Sequence, residues 1–301
     1  MSKVAKNILS CLLFVLAFPL MSCNHLLDDD EPCYKGKPSE NGQLYDRWNN
    51  ITLPDYDAPE LTSIETDCEI YDNINDTTWN YNVILPPSYN SSPDKTYPVL
   101  YFLHGKDGNY KNGINSFKTN NALDYCYYHI DNFPEIIVVM PDAANTYYVD
   151  YYQDNIKYET FFFSTFIPEI EKRYRISKKR DERLIGGFSM GGYGAAYYAT
   201  KYNDLFCFAH CMSTPLDGKG VWQIPPILDV IHNSGFANLP FYIFDIGLND
   251  SFICTNQKVI KELMELKINH KYIERPGAHN SQFWRESIFI CLNEINYFLT
   301  Q

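Results

Sequence analysis

One pentapeptide, Gly187-Phe188-Ser189-Met190-Gly191, constrains the fold of this chain more than any other stretch. It follows a short apolar run at 183–186 and precedes a run of small residues at 192–199. Strand, sharp turn and helix form the setting in which a G-x-S-x-G pattern holds its serine hydroxyl above a sheet. The two outer glycines stand where a Cβ would collide across the turn. Glycine-rich turns also bind phosphate or simply pack tightly, so the pentapeptide alone leaves the nucleophile role of Ser189 open.

Size and charge limit the possible class of protein. The 301 residues are enough for one large α/β domain with appendages. Lys and Arg number 25 against 37 Asp and Glu, and the net charge of −12 disfavours nucleic acids and anionic membrane surfaces as partners. The 25 tyrosines suit either a sugar-binding cleft or a tyrosine-rich core.

The N-terminus has the pattern of a targeting segment. Lys3 and Lys6 precede an apolar stretch, Ile8–Leu20, which is too short to span a bilayer comfortably. It ends in Leu20-Met21-Ser22-Cys23, which resembles the lipobox of bacterial lipoproteins. Ile8-Leu9-Ser10-Cys11 fits the same letters but leaves almost no apolar region ahead of it. The resemblance implies that residues 1–22 are a signal peptide and that Cys23 is lipidated.

A polar, irregular segment follows. We expect residues 23–62 to form a flexible, lipidated tether, so that a lipid anchor is the protein's only membrane attachment. The acidic cluster at 28–31 resembles surface-export signals of some Gram-negative lipoproteins, although a merely solvated linker explains it equally well. The expected location is extracytoplasmic, on the outer membrane, with exposure at the cell surface as one alternative.

The cysteines do not suggest a metal centre. Seven remain besides Cys11 and Cys23, and an odd number cannot all pair within one chain. Most of them are expected to be small buried apolar residues. Because no Cys-x-x-Cys or His-x-x-x-His spacing occurs, neither a metal nor any other cofactor is predicted.

From about residue 63, short apolar runs alternate with amphipathic stretches. The predicted strands are 64–71, 79–85, 99–103, 136–140, 183–186, 207–212, 241–246 and 271–273. The predicted helices are 120–130, 158–174, the stretch after the serine turn, 256–266 and 282–299. Unbroken apolar strands between helices are typical of a mostly parallel sheet that is covered on both faces. We therefore predict an α/β fold and a single domain at 63–301.

Reactive side chains follow three of the predicted strands. In such sheets the active site lies at the carboxyl ends of the strands, where Ser189, Asp250 and His279 are all expected. An imidazole activates a serine hydroxyl, and a carboxylate orients the imidazole. The chain order Ser, Asp, His is that of the α/β-hydrolase triad. Asp245 is the competing acid, but it lies inside a strand.

Three other histidines are weaker candidates for the base. They are His25 in the tether, His129 in a helix and His210 in a strand. His104 begins the loop after strand 99–103 and is interpreted as a structural residue. Acyl transfer also needs two N–H donors for the oxyanion, and the N–H groups of Met190 and Lys106 are predicted to supply them.

The matching segments resemble the esterase D family of α/β-hydrolases over about residues 64–299. They are Tyr101-Phe102-Leu103-His104-Gly105, Val139-Met140-Pro141-Asp142, residues 187–194, Gly247–Asp250 and Gly277-Ala278-His279. The resemblance implies the α/β-hydrolase fold, with Ser189 as nucleophile, Asp250 as acid and His279 as base. It also implies the oxyanion role of Met190 and Lys106. Two departures are Asn249, where an acidic residue often precedes the catalytic acid, and Asn280, where one often follows the histidine.

The family includes acetyl-xylan and feruloyl esterases, so the expected substrate is a small-molecule or polysaccharide ester. The aromatic loop at 142–152 leaves a strand at the same sheet edge, and its Tyr147 and Tyr148, together with Trp284, are candidate substrate-binding residues. Packing of these rings onto the domain is the alternative. Two other functions stay open, namely an acyltransferase of the mycolyltransferase kind and a non-catalytic glycan-binding lipoprotein.

Overall fold

The computed structural model describes residues 52–150, 155–218 and 224–301, which fall within one compact unit. The predicted signal peptide, the lipidation site Cys23, His25 and most of the predicted tether lie outside these residues. Among the residues described, no helix is long and apolar enough to cross a membrane.

Eight strands form one sheet. They are β1 (Ser63–Asp72), β2 (Thr77–Leu85), β3 (Val99–Leu103), β4 (Ile137–Pro141), β5 (Arg183–Phe188), β6 (Phe208–Met212), β7 (Phe241–Gly247) and β8 (His270–Arg275). The spatial order is β1-β2-β4-β3-β5-β6-β7-β8. Strand β2 pairs antiparallel with both of its neighbours, β1 and β4. The strands from β4 to β8 in this order pair parallel with one another. The carboxyl ends of β5, β7 and β8 therefore meet at one edge.

The helices are α1 (Asn112–Asn115), α2 (Thr119–His129), α3 (Tyr158–Phe161), α4 (Ile167–Arg173), α5 (Met190–Lys201), α6 (Ile227–Asn233), α7 (Ile253–Glu265) and α8 (Ser281–Leu299). A π-helical turn, Phe162–Phe166, joins α3 to α4, and a 3₁₀ turn, Arg180–Glu182, precedes β5.

The sheet separates two apolar cores. Along β3, Val99, Tyr101 and Leu103 face one core, while Leu100 and Phe102 face the other, as the two-residue period of a strand requires. Helices α3 to α7 cover the first core, and α2 and α8 cover the second. The predicted α/β class, with a mostly parallel sheet and helices on both faces, is confirmed.

Several local features differ from the prediction. A π-helical turn interrupts the helix predicted at 158–174. The sequence does not predict this turn, because one extra residue in a turn hardly changes the apolar period. Helix α6 has seven residues, too few for a visible period, and was not predicted. Strand β8 extends beyond the predicted 271–273 to both sides.

The predicted boundary between tether and domain is wrong for residues 52–62. The backbone N–H groups of Leu61 and Thr62 donate to Asp124 Oδ1 in α2, at 3.0 and 2.7 Å. The Tyr56 ring packs on Tyr125 of α2 and on Phe289 of α8. This segment is therefore part of the domain, although its polar composition resembles that of a linker.

The cysteines mostly behave as predicted. Cys126, Cys207, Cys211 and Cys291 are buried with free thiols, and burial raises the pKa of the Cys126 thiol to about 12. Such thiols are inert packing groups. Cys254 differs from them because it is disulfide-bonded.

His210 in β6 is an unusual core residue. It is fully buried, and neither ring nitrogen has a hydrogen-bond partner in the described part of the chain. Burial lowers the pKa of its imidazole from 6.5 to about 4. Among the charged groups around it, Asp245 and Glu294 raise the pKa, whereas Arg275 and Lys271 lower it. The folded protein therefore holds this ring neutral at mildly acidic pH.

A neutral buried histidine makes stability depend on pH. Below about pH 6.5 the unfolded chain binds a proton that the folded chain does not bind until about pH 4. The free energy of unfolding therefore falls as the pH is lowered through this window. Replacement by phenylalanine should remove on the order of 2–3 kcal/mol of that fall. Urea unfolding of wild type and His210→Phe at pH 7.0, 5.5 and 4.5 measures the difference. The exposed His232→Gln is the control and should retain the wild-type slope.

Candidate active site

The turn between β5 and α5 holds Ser189 in a strained conformation. Its φ is +53° and its ψ is −119°, outside the regions that L-residues normally adopt. A Cβ on Gly187 would lie 2.6 Å from Gly191 O, and one on Gly191 would lie 2.2 Å from Leu103 O. The close approach predicted for both glycines is confirmed. Strain of this kind is characteristic of functional sites in proteins.

Ser189, His279 and Asp250 form a continuous hydrogen-bonded row. His279 Nε2 lies 3.0 Å from Ser189 Oγ. Its Nδ1 lies 3.0 Å from Asp250 Oδ2 and 3.2 Å from Oδ1. With Nδ1–H donating to the carboxylate, Nε2 has a free lone pair and accepts the serine proton. The arrangement can therefore activate the hydroxyl as a nucleophile.

The surroundings of Asp250 fix its carboxylate. The residue is 1% exposed, and its Oδ1 also accepts the N–H of Phe252 at 2.9 Å. The Phe252 ring meets the His279 ring edge-on, with 5.3 Å between centroids. The sequence analysis did not predict a role for Phe252. Its position two residues after Asp250 was the only sequence feature that placed it near the site. It limits access of water to the imidazole on that side.

The two loops that carry the acid and the base are joined directly. Asn249 N donates to Gly277 O at 2.9 Å, and Leu248 N donates to Arg275 O at 3.0 Å. A Cβ on Gly247 would lie 2.5 Å from Gly277 O. Because the backbones touch, the distance between Asp250 and His279 is set by main-chain contacts.

Asp245, the competing acid, has a different partner. It is fully buried, and both its oxygens accept from Arg275, Nε to Oδ1 at 3.0 Å and Nη2 to Oδ2 at 3.2 Å. The competing histidines also lie apart from the serine. His129 Nε2 bonds to Asp57 O, and His210 is enclosed in β6.

The loop after β3 is held in place by His104. Its Nε2 accepts the Ala143 N–H at 2.9 Å, and its Nδ1 then donates to Gly105 O at 2.8 Å. Tyr148 Oη donates to His104 O at 2.9 Å. These contacts agree with the structural interpretation of His104. They position the loop whose next residue is Lys106.

The two predicted oxyanion donors lie at the same edge of the sheet. Met190 is the first residue of α5, where helix N–H groups lack partners, and Lys106 follows β3, the neighbour of β5. Neither N–H donates a hydrogen bond within the ranges that the structure describes. Their role in binding an oxyanion remains a prediction.

Two of the three predicted substrate contacts are wrong. Tyr148 is fully buried because it fills the space beside Gly194, where a Cβ would lie 2.5 Å from its ring. Tyr147 is 8% exposed and cannot present a ring face to a sugar. Trp284 is half-buried, and its ring centroid lies 4.9 Å from that of His279. The part of the aromatic loop at 151–152 lies outside the described residues.

Comparisons with known proteins agree with this geometry. The family model described as "Putative esterase" matches residues 73–294. The chain belongs to this esterase family. It is 33% identical over 175 residues to an esterase of Mycobacterium tuberculosis, a match that covers 56% of this chain and 35% of that protein. The chain thus spans about a third of the length of that curated relative.

Two further similar proteins are named as esterases of defined acyl groups. An acetyl esterase of Caldicellulosiruptor saccharolyticus is 27% identical over 170 residues, which is 56% of this chain and 59% of that protein. The solved structure of a ferulic acid esterase superimposes with a TM-score of 0.68 and 26% identity, covering 79% of this chain and 98% of the other. The α/β-hydrolase fold predicted from the resemblance is confirmed. Within the described residues, no group of three or more His, Cys, Asp or Glu side chains could hold a metal ion.

The two aspartates near the end of β7 should differ sharply when neutralised. Asp250→Asn should lower kcat for p-nitrophenyl acetate by about four powers of ten, because the imidazole would adopt the wrong tautomer. Asp245→Asn should retain most of kcat but lose up to about 3 kcal/mol of stability, because it removes one of the two carboxylates that pair with the buried Arg275 and leaves only Glu286. Steady-state kinetics and urea unfolding of both variants measure the two effects. A nearly silent Asp250→Asn beside an inactive, fully folded Asp245→Asn would reverse the assignment.

Proposed function

We propose that this protein is a serine esterase that hydrolyses carboxylic esters through an acyl-enzyme intermediate. The row of hydrogen bonds from Ser189 through His279 to Asp250, with steps of 3.0 Å, is the observation that supports the proposal. Membership of the esterase family agrees with it.

The geometry suggests a two-step reaction. Ser189 Oγ attacks the ester carbonyl carbon while His279 Nε2 takes its proton, and the N–H groups of Met190 and Lys106 bind the oxyanion. His279 then returns the proton to the departing alcohol, which leaves an acyl group on the serine. A water molecule attacks that acyl group with the same assistance. The Asp250 carboxylate stabilises the imidazolium in both steps.

The proposed substrates are acetyl or feruloyl esters on polysaccharides. The similar proteins named acetyl esterase and ferulic acid esterase support this class. The Trp284 ring is half-buried and lies 4.9 Å from the His279 ring, so its exposed part is placed to contact a sugar or a hydroxycinnamoyl ring. An acyltransferase would use the same acyl-enzyme, but no described feature favours an alcohol over water as the acceptor.

The function is tested by labelling and turnover. The wild-type protein should react with a fluorophosphonate and hydrolyse p-nitrophenyl acetate, whereas Ser189→Ala should lower kcat by roughly five to six powers of ten and abolish labelling. Ser164→Ala is the control, since Ser164 is an exposed serine distant in sequence from the triad. An unlabelled, inactive but folded wild-type protein would contradict the proposal and favour a glycan-binding role.

Acyl preference tests the substrate class. Acetate, butyrate and ferulate esters should be hydrolysed faster than p-nitrophenyl decanoate, because the described residues include no large lid that could enclose a long acyl chain. A clear preference for decanoate would point to a lipase-like tunnel and contradict the polysaccharide proposal.

We also propose that the enzyme is anchored outside the cytoplasm through Cys23, where polysaccharide esters would be accessible. The lipobox-like segment Leu20–Cys23 supports this, and it lies outside the described residues. Wild type should incorporate radioactive palmitate and partition into detergent, whereas Cys23→Ala should stay unlabelled and uncleaved at that site. A wild-type protein that stays unlabelled in the aqueous phase would disprove anchoring.

A further inference from the structure

A polar pocket lies beside the candidate active site. It has a volume of about 730 Å³, within the range typical of ligand sites. Its walls are the segment 52–56, the end of α1 and the first turns of α8. The polar side chains that line it are those of Thr52, Asp55, Ser116, Ser281, Gln282, Arg285 and Glu286.

The pocket adjoins the catalytic histidine through Trp284. Ser281 follows His279 by two residues, and Trp284 lies on the same first turns of α8. The Trp284 ring is 4.9 Å from the His279 ring and 6.2 Å from the ring of Phe117, which follows Ser116. Trp284 thus lies next to His279 in space and next to the pocket residue Arg285 in the chain, and a substrate held at Ser189 would extend past Trp284 toward the pocket.

Arg285 supplies a positively charged guanidinium to the lining of this pocket. It is half-buried, and it makes no hydrogen bond or ion pair within the described ranges of the chain. The exposed Asp55 stands on the opposite wall, and Glu286 is already bound to Arg275 at 2.6 Å. Since the lining holds two carboxylates and one guanidinium, it offers donors and acceptors without a net attraction for anions.

The lining matches a neutral ligand with many hydroxyl groups. An acyl chain buried here would leave the guanidinium, amide and hydroxyl groups without partners, which is unfavourable. Sugar hydroxyls satisfy donors and acceptors together, and the Tyr56 ring on the pocket wall supplies an apolar surface. We propose that this pocket binds sugar units of the glycan that carries the ester, on the alcohol side of the scissile bond. This inference rests on the proposed esterase function.

Residues 52–56 form one wall of the pocket, and Tyr56 packs on the domain. This part of the segment predicted as a tether would therefore complete the substrate site. Arg285 and Gln282 would then determine specificity without touching the reacting atoms.

The test compares two substrates that share an acyl group. An acetylated xylo-oligosaccharide presents the sugar units, and p-nitrophenyl acetate lacks them. For Arg285→Gln, the ratio of kcat/KM for the oligosaccharide to that for p-nitrophenyl acetate should fall about tenfold to a hundredfold, as expected for a lost hydrogen bond to a charged group. The loss should appear mainly in KM. Gln282→Ala, at an exposed helix position, should lower the same ratio about two- to tenfold.

Controls separate the possible failures. Lys172→Gln removes an exposed positive charge on α4 and should leave the ratio unchanged. If Arg285→Gln does not fold, Gln282→Ala decides the outcome. An unchanged ratio in the folded variants, or a wild-type enzyme with no preference for the oligosaccharide, would overturn the sugar pocket while leaving the esterase intact. A wild type that fails to hydrolyse p-nitrophenyl acetate would instead overturn the esterase function.

Discussion

The contact between Gly191 and the end of β3 is the constraint on which the candidate active site depends. A Cβ at this position would lie 2.2 Å from Leu103 O and 2.6 Å from His104 O, so the first turn of α5 touches the main chain directly. The contact places Ser189 and the loop of Lys106 side by side, because β3 and β5 are neighbours in the sheet. The nucleophile and the proposed oxyanion donors are thus parts of one rigid junction, and such preorganisation is what electrostatic stabilisation of an oxyanion requires.

A buried arginine organises the other half of the site. Arg275 ends β8, and its guanidinium bonds to Asp245 of β7, to Phe283 O and to Ser287 Oγ of α8. The loop that carries His279 is therefore held between a fixed strand end and a fixed helix start. The same ion pair occupies Asp245, so the two aspartates of this region have separate partners. Removing one member of such a pair is far more damaging than replacing both.

The catalytic residues of the site could be predicted from the sequence more readily than the residues that pack around them. Ser189, Asp250 and His279 each follow an apolar strand, and strand ends of a parallel sheet converge, so their proximity could be expected. The packing of Tyr148 against Gly194 and of Tyr56 against α2 and α8 depends on distant elements, which local patterns do not report. Aromatic residues in a polar loop look like ligand contacts whether they face solvent or the core.

The packed segment at 52–62 also limits how far the enzyme could act from a membrane. If Cys23 carries the lipid, the 28 residues 24–51 separate the anchor from residue 52, where the described part of the domain begins. A fully extended chain of that length reaches about 100 Å at most. Thr52 lines the pocket proposed above, so the described chain begins close to the catalytic edge of the sheet. Such an enzyme would work on glycans within a thin shell around its own cell, and more distant polymers would have to come to it.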